Sequence, residues 1–352
     1  MCAERIELHD EIAPLAPEWE ELVDRARAGP FSRAGWFETW WGAFGRGRLE
    51  IATLRRDGEL AAVLPLMRRL GVRRSVANWH TPEFVVPAVD PSARVALFKG
   101  LLQRTRTPLL LTLLTAGRPE PDAFRAAARA SGVPILAHTV ERSPYVQIGG
   151  DWQAYLLTLP RRRRSELRRR RRRLEERGAV VLEITDGDGR LADLLEEGFE
   201  VETSGWKARA GTAIVSKPQT RDFYTRVARW AAERGSLRLA FLRLDDRPLA
   251  FHFTIEEDGV AYQLKGGYDA EFRELGPGNL LISEMLEWAF RRRLRAYEFL
   301  GAEEEFKMDW SSGLRERLAI QAFPRSPAGV AGRCAYAYGR PAVKRAREVV
   351  RR

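Results

Sequence analysis

The sequence predicts an α/β chain built as two subdomains, each a mixed, mostly antiparallel sheet flanked by helices. Three observations carry this. At 352 residues the chain is long enough for two domains of roughly 100–200 residues each. Helical and strand periodicities alternate within each half. The strand runs are joined by short polar turns, Asp57-Gly58, Asp245-Asp246-Arg247 and Asp258-Gly259, which fold neighbouring strands back antiparallel. The expected division is 1–145, 146–325 and a basic helical tail over 326–352.

In chain order, Trp19, Leu22, Val23 and Ala26 follow helical spacing behind Pro17, predicting a helix over Pro17–Ala28, with a second over Trp36–Phe44. LEIATLRRDGELAAVLPLMRRL reads as two strands around Asp57-Gly58. PLLLTLLTA is a buried strand, PDAFRAAARASG a helix ending at Gly132, and VPILAHTV a further strand, closing the first unit near Pro144. From Asp151 the order begins again. A helix at Trp152–Leu159 precedes an arginine-rich helix, the strand VVLEIT, and helices over Leu191–Lys207 and Thr220–Arg234. The strands LRLAFLRLD, PLAFHFTIEED and VAYQLKGGY then form a meander, followed by the loop DAEFRELGPG, a helix at Asn279–Arg293 and the strand AYEFLG. The halves share this layout without an alignable sequence repeat.

Composition excludes several classes. No apolar run reaches the ~20 residues of a membrane-spanning helix, and 45% hydrophobic with 30% charged residues is a globular composition. The N-terminus carries Glu4, Glu7, Asp10 and Glu11 in place of a basic start and an apolar segment, so a cytoplasmic protein is expected. Two cysteines, Cys2 and Cys334, and four scattered histidines give neither a disulfide framework nor zinc-ligand spacing, so no metal is expected. The chain holds 53 arginines and 6 lysines, a bias that a GC-rich genome would also produce. Of its net charge of +11, +8 lies in residues 161–177, RRRRSELRRRRRRLEER.

The stretch that points to chemistry is a strand ending at Tyr268, then Arg273-Glu274-Leu275-Gly276-Pro277-Gly278, then Asn279 opening an amphipathic helix. Glycines before a helix let backbone amides approach an anion, and the helix dipole favours a phosphate there. The bland reading is a Gly-Pro-Gly turn with Asn279 as an ordinary cap. Arg-x-x-Gly-x-Gly between a long strand and a helix resembles the acyl-CoA pyrophosphate loop of the GNAT acyltransferase superfamily, matched here by Arg273, Gly276 and Gly278. Ser143-Pro144-Tyr145, the arginine helix, Gly205-Trp206-Lys207 with Gly211-Thr212-Ala213, and Phe299-Leu300-Gly301 with Phe306-Lys307 resemble the CelD-like, FemAB-related branch over roughly residues 30–325. Glu298 stands where that pattern usually has Asp, and Phe306 where it often has Tyr. The resemblance implies two GNAT-like subdomains, the first degenerate and the second holding acyl-CoA through Arg273, Gly276, Gly278 and Asn279. It also implies an N-acyltransferase acting on a sugar- or amino-acid-like acceptor, an amine or less often a hydroxyl, in polysaccharide or cell-envelope biosynthesis.

Such a reaction requires a base for the amine and donors for the thioester carbonyl and departing thiolate. Glu298, on the strand after the loop helix, would serve as base if it faces the cleft; strand alternation equally allows it to face solvent. His252, between Phe251 and Phe253, could be the base or an ordinary core histidine. Lys307 could orient a charged acceptor or intermediate, or pair with Glu303, Glu304 and Glu305. Tyr268 and Asp269 end the strand before the loop, where they would touch substrate, although Tyr268 could simply pack. Glu202, Trp206 and Lys207 would form the acceptor side, with a packing Trp as the alternative. Neither cysteine lies in a motif, which disfavours a covalent intermediate.

The helix within 161–177 has only Leu167 and Leu174 as apolar positions, so most of it must face water or an anion. Three readings stand: tRNA, as in FemAB relatives that use aminoacyl-tRNA as donor; an anionic membrane surface, placing the protein at the inner face of the membrane beside glycan precursors; or a solvated helix. A non-catalytic nucleic-acid-binding protein is the alternative from another class, opposed by the absence of a recognisable binding motif.

Overall fold

The computed structural model describes residues 4–333 except 105, 188, 205–213 and 328. They fall into two compact units: the described parts of 1–41, 45–141 and 316–352, and of 42–44 and 142–315. The division differs from the contiguous one expected from the sequence, because residues 316–322 pair with a strand of the first unit. Of the expected tail, 334–352 lies outside the described residues.

In the first half the order is β1 (Glu4–His9), α1 (Ala16–Ala26), α2 (Ala34–Phe44), β2 (Arg48–Arg56), β3 (Glu59–Arg69), β4 (Val72–Ser75), α3 (Pro91–Arg104), β5 (Leu109–Thr115), α4 (Pro119–Ala130) and β6 (Ile135–Gln147). The second half has α5 (Trp152–Thr158), α6 (Arg161–Glu175), β7 (Val180–Thr185), α7 (Leu191–Ser204), α8 (Pro218–Glu233), β8 (Leu237–Leu244), β9 (Arg247–Glu257), β10 (Val260–Tyr268), α9 (Pro277–Arg291), β11 (Ala296–Glu298), the one-turn helix α10 (Glu305–Met308) and β12 (Gly313–Ala322).

The two units have the same topology. The first orders its strands β1-β2-β3-β4-β5-β12 and the second β7-β8-β9-β10-β11-β6. In each, four strands run as an antiparallel meander, with two α-helices among the described residues between the first and second strands. The fourth strand crosses through a helix to pair parallel with the fifth: β4 to β5 through α3, and β10 to β11 through α9. The sixth is antiparallel to the fifth and comes from the other half of the chain, β12 against β5 and β6 against β11. Each sheet is therefore mixed and mostly antiparallel, as predicted. The exchange of sixth strands is what carries residues 316–322 back to the first unit.

Local chemistry explains the elements. Asp57 and Gly58 both sit at positive φ, 50° and 92°, the backbone a type I′ hairpin needs between β2 and β3. In α1, Trp19, Leu22 and Val23 form a fully buried stripe. In α9, Leu280, Leu281, Met285, Leu286 and Phe290 are buried against Ala240, Leu242, Leu249 and Ala250 of the sheet and Leu174 of α6. At about 1.5–3 kcal/mol for each large apolar side chain removed from water, that face is enough to fix α9 on the sheet.

Candidate functional site

In the second unit the parallel strand pair is short. β10 and β11 pair over Val260–Tyr262 and Ala296–Glu298, after which β10 continues to Tyr268 paired with β9, and Ser204 Oγ at the end of α7 donates to Tyr268 O (3.2 Å). A bulge between Gln263 and Lys265 adds one residue, Leu264, to β10 just beyond the last β10–β11 pair. Bulges bend a strand and redirect its side chains, and they concentrate beside active sites. The parallel register thus ends with β11 at Glu298, while β10 runs on to Tyr268, beside Gly278 at the start of α9.

The loop into α9 is built as follows. Asp269 caps the 3-10 turn Ala270–Leu275 by accepting from the Glu271 amide (3.0 Å), and it accepts from Arg247 Nη2 (2.6 Å). Gly276 ends that turn in the left-handed region, φ 59°, and its amide donates to Arg273 O. The amides of Asn279 and Leu280 both donate to Gly276 O, at 3.1 and 3.2 Å. Pro277 has no N–H, so Gly278 supplies the one first-turn amide without a backbone partner among the described residues. A Cβ on Gly278 would lie 3.1 Å from the Tyr268 ring, which places Tyr268 directly under the helix start. The Arg273 side chain is on the exposed side of the turn.

The arginine helix lies against this loop, a relation the sequence reading missed. A Cβ on Gly276 would fall 2.1 Å from Arg170 Nη1, so the guanidinium fills the open side of the glycine. Arg170 Nε donates to Glu166 Oε1 (2.6 Å). Arg163 donates through Nη2 to Asn279 Oδ1 (3.3 Å), pairs with Asp309, and stacks 4.3 Å above the Trp310 ring. Arg171 Nη1 reaches Glu284 of α9 at 2.5 Å. The signal was available in the spacing: 163, 170 and 171 lie three or four residues from Leu167, on the one apolar stripe of the helix. Hydrogen bonds from Arg169 and Arg170 hold the Glu166 carboxyl below its usual range.

Strand alternation sorts the remaining candidates onto two faces. On the α9 face, Ala250 pairs with Tyr268, and His252 pairs with Gly266. His252 is 3% exposed, and it crowds Gly266 together with Gln263, whose Oε1 accepts from Tyr297 Oη (3.2 Å). Burial pushes the Tyr297 hydroxyl up. On the α7 face, Gly198 packs on Phe251, and Gly267 packs on the backbone of Glu202. The bulge brings Tyr262 and Lys265, three residues apart, onto that same face. Lys265 lies 5.2 Å from the ring centroid of Tyr224, a buried tyrosine pushed up by burial and then by the charge of Glu202. Glu298 pairs with Tyr262 and so faces α7 as well; it is buried and accepts from Arg315 Nε (3.1 Å), whose guanidinium stacks 3.6 Å from the Tyr145 ring. Glu298 is therefore not the solvent-facing strand glutamate that was one alternative. The structure does not bring Glu298 and His252 together.

Glu202 is fully buried, and its Oε2 accepts from the Ile214 amide (2.8 Å). Trp206 and Lys207 lie outside the described residues. Lys307 is committed to the turn after β11: Nζ donates to Leu300 O (2.9 Å) and Ala302 O (3.5 Å) and pairs with Glu304 (2.6 Å). Leu300 sits at φ 56°, a strained position for a branched residue, and Ser143 Oγ ties down the neighbouring Gly301 O at 2.7 Å. The expected pairing of Lys307 with a neighbouring glutamate is present, with Glu304. Lys307→Met is expected to cost about 1.5–3 kcal/mol through the lost charged hydrogen bonds, read as a shift in the urea midpoint at constant slope. A shift worth less than about 0.5 kcal/mol would show that the turn holds without it.

Among the described residues no group of three or more His, Cys, Asp or Glu side chains is placed to hold a metal ion, and no helix is long and apolar enough to cross a membrane.

Comparison with known proteins now gives this arrangement a class. Residues 161–308, which include the arginine helix, match the family model of the acetyltransferase (GNAT) domain. The chain is similar to the crystal structure of FemX, at 15% identity and TM-score 0.60, over 89% of this chain and 96% of that one. It is also similar to the C-terminal domain of an Agrobacterium fabrum protein titled a putative lysylphosphatidylglycerol synthetase (14%, TM-score 0.56, 91% and 95%). The L-PGS of Bacillus licheniformis is a third such structure (12%, TM-score 0.55, 89% and 92%). At these identities the likeness is one of fold alone. No curated protein matches the sequence.

Proposed function

We propose that this GNAT-type acyltransferase moves an acyl group from acyl-CoA to an amine, or a hydroxyl, of a sugar- or amino-acid-like acceptor. The observation that carries the reading is the bulged β10 running past the end of its register with β11 to the Gly276–Asn279 turn and the α9 N-terminus. The residues present fit the donor. The Gly278 amide and the positive end of the α9 dipole favour the pyrophosphate, and the stretch of β10 past its register with β11 would run beside the pantetheine arm. Bound acyl-CoA supplies the activated thioester carbonyl. On the α7 face, Glu202 and Lys265 line the acceptor side, and Glu298 takes the amine proton. Tyr268, against Gly278, seats the start of the helix, while His252 on the opposite face keeps a packing role.

Calorimetric titration of the full chain with acetyl-CoA and longer acyl-CoAs tests this, beside Gly278→Trp, whose indole must enter the space between Tyr268 and the pyrophosphate position. Micromolar binding to the parent chain and none to a folded variant is expected. Equal binding to both would remove the donor from this loop.

A second reading takes aminoacyl-tRNA as donor. It is favoured by α6, whose Arg161, Arg162, Arg168 and Arg172 are exposed, a row of cations suited to a polyanion. Charged tRNA that binds while acyl-CoA gives no heat would select it.

A further inference from the structure

Helix starts that bind phosphate usually offer several free amides, whereas α9 offers one. Pro277 has no N–H, and the Asn279 and Leu280 amides are already spent on Gly276 O. One amide and a helix dipole neutralise little of a doubly charged pyrophosphate. The missing cations stand on α6. Arg170 Nη1 occupies the open side of Gly276, and Arg163 reaches Asn279, one residue beyond Gly278. Seven residues separate them, about 10.5 Å along a helix, so both can bracket the first turn of α9. Two anions hold them there: Glu166 on Arg170 Nε, and Asp309 on Arg163 Nη1. Arg163 Nε is buried without a hydrogen-bond partner among the described residues, so this guanidinium is left short of acceptors.

We infer that Arg170 and Arg163, carried by the arginine-rich helix, are ligands of the donor's phosphates, and that Glu166 is a built-in competitor that releases Arg170 when the donor binds. The glycine at 276 has on this account two duties: it adopts the left-handed backbone, and it leaves room for the guanidinium. The arginine helix then divides by face. Arg163 and Arg170 serve the donor, Arg171 fastens the helix to Glu284, and the outward row has no part in donor binding. A guanidinium is suited to the task because its planar fork meets two phosphate oxygens at once.

The inference rests on the donor reading above for the identity of the phosphates, and its test separates the two. The full chain is titrated calorimetrically with acetyl-CoA and, separately, with inorganic pyrophosphate. The variants are Arg170→Gln, Arg163→Gln, Glu166→Gln and, as an outward-facing control, Arg168→Gln, each checked for parent-like circular dichroism. Arg170→Gln and Arg163→Gln are each expected to weaken both ligands at least tenfold, Arg168→Gln less than twofold. Glu166→Gln is expected to tighten both severalfold, a gain that a merely structural glutamate would not give. Equal weakening by Arg168→Gln and Arg170→Gln would reduce the helix to diffuse charge and overturn the inference, as would unchanged affinity in Arg170→Gln. If the parent binds pyrophosphate with the expected pattern but not acetyl-CoA, the arginine assignment stands and the acyl-CoA reading falls; if it binds neither, both fall.

Discussion

Glu83→Gln is expected to destabilise the first unit by about 3–5 kcal/mol at pH 7, the cost of breaking a buried ion pair from one side. Glu83 lies in the loop between β4 and α3 and is 2% exposed. Its Oε2 accepts from Arg317 Nη1 (2.8 Å) and Thr115 Oγ1 (2.9 Å), and its Oε1 from Arg118 Nη2 (3.1 Å). Arg317 is itself 2% exposed, so removing the carboxylate strands a guanidinium in the interior. Arg317 lies on β12, Thr115 at the end of β5, and the neighbouring Phe84 amide donates to Leu113 O of β5 (2.9 Å). The carboxylate therefore ties the loop to the pair of strands that closes the sheet. Burial alone would raise its pKa, but the charges of Arg118 and Arg317 and the hydrogen bonds from Thr115 and Arg317 outweigh it and hold the carboxyl below its ordinary value. With the folded value lowered, the stabilisation is complete above the unfolded value of about 4.3 and disappears as pH falls through the folded one. The parent and the variant should thus converge in urea midpoint as pH drops below about 4. A difference under 1 kcal/mol at pH 7, or one independent of pH, would contradict this account. The double variant Glu83→Leu with Arg317→Met should lose less than Glu83→Gln, because no charge is left unpaired.

Which parts of this were readable from sequence follows from the range of the interactions involved. The hairpins were legible because Asp57-Gly58 and Asp258-Gly259 carry their own backbone preference, whatever lies elsewhere in the chain. The helices α1 and α9 were legible from apolar spacing, to within a few residues at their ends. The exchange of sixth strands between the units was not, since it resides in which strands pair. After Gly313-Leu314, β12 opens with the polar run Arg315-Glu316-Arg317, and it gains its place only by meeting β5, some 200 residues earlier. The loop Gly276-Pro277-Gly278 was legible as a motif, but its surroundings were not. That Arg170 lies on Gly276 depends on how α6 docks, and two leucines among eleven arginines give little hint of direction. The candidate bases show the same limit. Period-two alternation orders residues within one strand, but it does not relate His252 on β9 to Glu298 on β11 until the register is known, and the bulge at Leu264 shifts that register by one.

Gly267→Val is expected to cost about 3 kcal/mol and to disable the acceptor side while leaving donor affinity within about twofold. A Cβ at Gly267 would stand 2.4 Å from the Cα of Glu202, a backbone atom of α7 that cannot rotate away, and 3.1 Å from Glu202 Cβ and Cγ. Relief requires α7 to lift from the sheet. Its other close seat opposes this, because Gly198 of α7 meets the Phe251 ring, a Cβ there falling 2.5 Å from the nearest ring carbon. With α7 displaced, the Glu202 carboxylate loses its bond to the Ile214 amide and its place beneath β10. Misplacement of about 1 Å in a group that orients a reactant can cost on the order of a hundredfold in rate. Donor binding is spared by strand alternation: Gly267 points to α7, whereas its neighbour Tyr268 points to Gly278 on the opposite face. Gly278→Trp should give the reverse pattern, with stability nearly kept and donor binding lost. Equilibrium unfolding and acetyl-CoA titration on both variants decide the matter. If Gly267→Val abolished donor binding at a concentration of denaturant-free, fully folded protein, the two faces of β10 would not be functionally separate, and the assignment of Glu202 to the acceptor side would have to be given up.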